Sequence, residues 1–86
     1  METIMKQFQF NVIDRNNDEV VVYARIERMK KSYYWDISHF YKPCPAAGYY
    51  IASGRIEVTM AIAEEQIKAY ISCLQQSKDF QSNPNY

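Results

Sequence analysis

Five of the chain's thirteen aromatic side chains fall within the nine residues 33–41, Tyr-Tyr-Trp-Asp-Ile-Ser-His-Phe-Tyr. Read at a period of two, this stretch places Tyr33, Trp35, Ile37, His39 and Tyr41 on one face. Tyr34, Asp36, Ser38 and Phe40 fall on the other. A helix would scatter the same aromatics around its cylinder. Aromatic enrichment, bounded by Lys-Lys-Ser before and by Pro-Cys-Pro after, therefore predicts a central β-strand with its odd-numbered face turned to the core.

The flanking segments extend this into a sheet. Gln7 to Ile13 alternates, with Phe8, Phe10 and Val12 on one side, and predicts the first strand. Asp14-Arg15-Asn16-Asn17-Asp18 has the composition of a hairpin loop, since Asn and Asp bond to their own backbone and tolerate left-handed torsions. Glu19 to Met29 returns with Val20, Val22, Ala24 and Ile26 inward and Val21, Tyr23, Arg25 and Glu27 outward. Arg28 to Ser32 then turns the chain into the aromatic strand, giving a three-stranded meander.

Pro43-Cys44-Pro45-Ala46-Ala47-Gly48 ends the ladder, because two prolines lack an amide donor. The apolar parity changes between Tyr49/Ile51 and Ile56/Val58/Met60, which predicts a fourth strand with a β-bulge near Ser53-Gly54. From about Ala61 the period becomes helical. Ala63, Ile67, Tyr70, Ile71 and Leu74 form one stripe, with Glu64 and Lys68 spaced as an i,i+4 pair and Thr59 as the nearest cap candidate.

The expected fold is α+β: a four-stranded antiparallel sheet with one C-terminal amphipathic helix packed on one face. Eighty-six residues suffice for one domain. Its ordered core is expected over about 6–78, with the tail 79–86 frayed.

Ten acidic and ten basic side chains cancel, so no overall field draws the molecule to nucleic acid or to an anionic membrane. Arg25, Arg28, Lys30, Lys31 and Lys42 gather in the middle of the chain and read as a solvated hairpin end. No apolar run approaches a membrane span, the N-terminus is too short and acidic for a signal peptide, and two cysteines make no secreted disulfide framework. A cytoplasmic setting is the expectation.

Chemistry-bearing patterns are few. His39 and Cys44 are near in sequence, but a cysteine between prolines has neither a base nor an electropositive setting assigned to it, and His39 reads as a hydrogen-bonded residue at the core margin. One histidine and two distant cysteines lack zinc spacing, and Cys73 reads as a small buried side chain. Asp36 and Glu57 on neighbouring strands carry no second feature marking an acid–base pair. No cofactor, metal or catalytic residue is expected.

A single helix covers one sheet face and leaves the other open. Tyr23, Arg25, Tyr34, Phe40, Tyr50 and Arg55 are the candidate partner-binding residues on it. Tyrosine and arginine anchor protein interfaces at low entropic cost. The expected function is accordingly a non-enzymatic interaction module, an adaptor or inhibitor of the kind phages and mobile elements direct at host enzymes, self-associating as a homodimer. Four strands followed by a helix also resembles, in element order, the repeat of the PUR family of single-strand-binding proteins. That resemblance implies the alternative, a single-stranded nucleic-acid-binding module in which the same tyrosines stack bases.

Overall fold

The computed structural model describes residues 3–44, 46–52 and 55–86. Its largest element is a hairpin of β1 (Thr3–Ile13) and β2 (Glu19–Arg28), which pair antiparallel along their whole length with a register shift between Ile4 and Lys6. The turn is built as its composition predicts. Asp14 Oδ1 accepts the amides of Asn16 at 2.8 Å and Asp18 at 3.0 Å, and Asn17 takes a left-handed φ of 63°.

β3 (Tyr33–Ile37) pairs with β2, and the two-residue β5 (Ile56–Glu57) pairs with β3, so the sheet runs β1-β2-β3-β5, antiparallel throughout. Between β5 and the end of the chain lies α1 (Met60–Ser77). Thr59 caps it, with Oγ1 accepting the Ile62 amide at 3.1 Å, and Lys78 closes it in a left-handed conformation. Its buried residues are the predicted stripe, Ala63, Ile67, Tyr70, Ile71 and Leu74. They pack on Val22, Ala24, Ile26, Trp35 and Ile37 to form one core. The fold class is thus the four-stranded antiparallel sheet with a helix laid against it.

Four details depart from expectation. The aromatic strand breaks at Ser38, and its second half becomes β4 (His39–Tyr41). Ser38 is held to one residue of β2 twice over. Its amide donates to Tyr23 O at 2.8 Å, its Oγ accepts the Tyr23 amide at 2.7 Å, and its hydroxyl lies 2.8 Å from His39 Nδ1. A side chain standing in for backbone ends the ladder there and frees the next residues to turn away.

The tail expected to fray instead adds β6 (Phe80–Ser82), which pairs antiparallel with β4 in a second, two-stranded sheet. Phe80 packs on the core, and Asn83 is buried. Cys73, expected buried, is exposed. Glu64 meets Lys6 of β1 at 2.7 Å rather than Lys68, which ties the helix start to the hairpin. The predicted bulge at Ser53-Gly54 lies outside the described residues.

Candidate functional site

Directly paired residues of an antiparallel sheet share a face. Ala24/Ile37 and Ile26/Trp35 lie under the helix, so Arg25/Asp36 and Glu27/Tyr34 lie on the opposite face. This is the face expected to be open, and its centre is a closed polar cluster.

Asp36 sits at that centre with a side chain only 6% exposed. Its Oδ1 accepts from Arg55 Nη1 at 3.0 Å, from the Ile37 amide at 2.9 Å and from Asn83 Nδ2 at 3.3 Å, while Arg25 Nη2 stands 3.9 Å from Oδ2. Arg25 also donates to Glu27 at 2.7 Å. Two guanidiniums thus face two carboxylates, so the buried charge is compensated within the cluster. Each guanidinium is stacked on a tyrosine, Arg55 at 5.3 Å from the Tyr34 centroid and Arg25 at 4.3 Å from that of Tyr86. Burial is the main cause holding both phenols above their ordinary pKa.

The C-terminal segment completes the arrangement. Asn83 donates from its side chain to Ile37 O at 2.8 Å and from its backbone to Ser38 O at 2.8 Å, which lays Asn83–Tyr86 across the end of β3. Between this segment and β3 lies a cleft of about 330 Å³, walled by Tyr34, Asp36, Phe40, Arg55 and Asn83.

The six predicted contact residues therefore do not form one open patch. Tyr23 is exposed at 47%, and Arg25, Tyr34 and Arg55 surround Asp36 half-buried. Phe40 is 6% exposed, part of the core cluster and of the wall of the Asp36 cleft. Tyr50 is on the helix side, stacked at 5.8 Å on Tyr70 and at 5.6 Å from Tyr41, with the Tyr70 hydroxyl donating to its carbonyl. Parity misplaces Tyr50 because the expected fourth strand is only Ile56–Glu57, and Tyr50 instead forms an isolated bridge with Tyr41. Sequence reading also missed Asn83 and Tyr86. The available signal was Asp36 itself, since an acidic residue between Trp35 and Ile37 is costly unless partners are brought to it.

Two exposed apolar side chains of this face mark the ends of one rung, Ile4–Glu27–Tyr34–Ile56, with Ile4 51% and Ile56 57% exposed. A second cleft, about 210 Å³, lies beneath Tyr50 and is lined by Trp35, Tyr41, Tyr70 and Cys73. Its rings touch one another, with Tyr41 and Tyr70 centroids 4.9 Å apart. Burial, aided by a Cys73 contact, pushes the Tyr41 phenol up to about 12.

Among the described residues no group of three or more His, Cys, Asp or Glu is placed to hold a metal ion, and no helix is long and apolar enough to cross a membrane. Asp36 and Glu57 do not pair, because Glu57 lies opposite Tyr33 while Asp36 is taken up by the arginines. No family model, curated protein or solved structure matches the chain.

His39 carries a pH prediction. Burial lowers its pKa below 6.5 in the folded protein. Where pH lies between that value and the unfolded one, the unfolded chain holds a proton that the folded chain lacks. Stability from this group is therefore complete above pH 6.5 and declines as pH falls through 6.5. The urea midpoint should drop between pH 7.5 and 5.5, and the drop should shrink in His39→Gln.

Proposed function

We propose that this chain is a non-enzymatic interaction module, an adaptor or inhibitor, that engages a protein partner through the sheet face away from the helix. The observation that carries this proposal is the rung Ile4–Glu27–Tyr34–Ile56, whose two isoleucines stand more than half exposed on the same face as Tyr23. Apolar ends around tyrosines and arginines already fixed by stacking form an interface core of low conformational entropy. Arg25 and Arg55 have carboxylate partners, and Arg55 lies over the Tyr34 ring, which favours a protein over phosphates and bases. Two exposed free thiols, Cys44 and Cys73, suit a reducing, cytoplasmic setting.

The test compares wild type with Tyr23→Ser and Ile56→Ser, both at exposed positions that leave the core intact. Capture from native lysate should yield a protein retained by wild type and lost from both variants at unchanged melting temperature. Binding of a labelled single-stranded oligonucleotide that weakens steeply with salt, with no such protein, would replace this proposal with the nucleic-acid one.

A further inference from the structure

β1 is an edge strand, and its outer side pairs with nothing among the described residues. Which groups face outward follows from the turn. Asp14 N donates to Asp18 O, so Asp14/Asp18 is a hydrogen-bonded pair, and the alternation of the ladder makes Val12, Phe10 and Phe8 bond inward to β2. Gln7, Gln9, Asn11 and Ile13 then present both N–H and C=O to the outside. Sheet edges are ordinarily blunted by proline, by lysine or by a bulge. Here the register shift and Lys6 lie at one end, and Gln7–Ile13 runs uninterrupted, without charge, proline or glycine.

We propose that this edge pairs with β1 of a second copy of the chain about a two-fold axis at Phe10. In an antiparallel pairing whose partner numbers sum to twenty, Gln9 lies opposite the copy's Asn11 and Gln7 opposite its Ile13. Every outward group of the run then meets another outward group. A register centred on Gln9 would instead send Ile13 to Met5, inside the register shift.

The side chains agree with this register. On the helix face, Phe10 meets its own copy in a non-hydrogen-bonded pair, where side chains approach closest, and Phe8 meets Val12. Phe8 and Phe10 are only partly buried and already stacked at 6.2 Å, so the axis joins two such pairs into one cluster. At the ends Lys6 falls opposite Asp14, a cross-strand pair of opposite charges. The other face carries Gln9 against Asn11. A second copy is therefore the occupant that the strand's charges and outward groups fit, and the dimer is an eight-stranded sheet through β1–β1 contact. It is independent of the face proposed above.

Sedimentation equilibrium on the full chain should give twice 10.2 kDa at tens of micromolar. Asn11→Pro removes one outward donor and places a ring in the inter-strand gap without removing a bond to β2. It should raise the dimer dissociation constant by roughly tenfold or more while circular dichroism and melting of the monomer are kept. In a Cys44→Ser/Cys73→Ser background, Phe10→Cys should cross-link symmetrically under mild oxidant and Gln7→Cys should not. Tyr23→Ser and Ile56→Ser should leave the dimer unchanged. A monomeric wild type overturns the proposal, whatever other strand the edge then accepts. So does a dimer that survives Asn11→Pro, or cross-linking of Gln7→Cys as readily as Phe10→Cys.

Discussion

Replacing Asp36 by alanine is expected to lower the unfolding free energy by roughly 2–4 kcal/mol. Removing one member of a buried ion pair costs about 3–5 kcal/mol because the remaining charge is stranded. Here the stranded groups are Arg55 and Arg25, whose side chains are 25% and 24% exposed, so solvent recovers part of the loss. The Ile37 amide and the Asn83 side chain lose an acceptor in the same step. Asp36→Asn, which retains an acceptor oxygen, should cost less than Asp36→Ala. Urea unfolding at pH 7 measures both. In the double variant Asp36→Ala/Arg55→Ala the cost should fall short of the sum of the two single changes, since the pair is then removed together. Additivity would mean that the 3.0 Å contact contributes nothing.

The largest single loss is expected from Trp35→Ala, about 3–5 kcal/mol. Trp35 is 2% exposed, pairs with Ile26 and meets the Tyr70 ring edge-on at 6.2 Å, so its removal opens a cavity where sheet and helix join. Its Nε1 is buried with no hydrogen-bond partner among the described residues. An unpaired buried N–H costs roughly 1–3 kcal/mol. Trp35→Phe loses volume but also removes that orphan donor, so the two effects oppose one another. The expectation is a cost under about 1.5 kcal/mol, far from that of alanine. A Trp35→Phe protein as unstable as Trp35→Ala would mean that the indole N–H is bonded in solution.

Periodicity carried most of the fold. Val22, Ala24 and Ile26 at a period of two, and Ala63, Ile67, Tyr70, Ile71 and Leu74 along one helical stripe, mark the buried faces directly, because burying one face is what those patterns achieve. Polar residues that act through specific partners leave no such trace. Ser38 reads as an outward strand residue, yet its hydroxyl replaces a backbone group and ends the ladder. Phe80–Ser82 is too short and too polar to announce a strand. Asn83 beside a proline reads as tail, yet it supplies the donors that Asp36 and the Ile37 carbonyl require. Four of the six predicted contact residues, Tyr23, Arg25, Tyr34 and Arg55, share a face because they precede the break at Ser38 or are drawn to Asp36 by charge. Phe40 stays beside the Asp36 cleft but is buried, and Tyr50, outside any strand, goes to the helix side.

What covers Asp36 at the centre of the far side of the sheet is the chain's own C-terminal turn, docked through Asn83. Nuclear magnetic resonance of the Asn83 side-chain amide tests this most directly. Docking predicts Overhauser contacts from its protons to Ile37 and Asp36, with exchange against water far slower than that of a free asparagine. Amide protons of Asn83 exchanging at the free rate, with residues 80–86 at random-coil shifts, would contradict it.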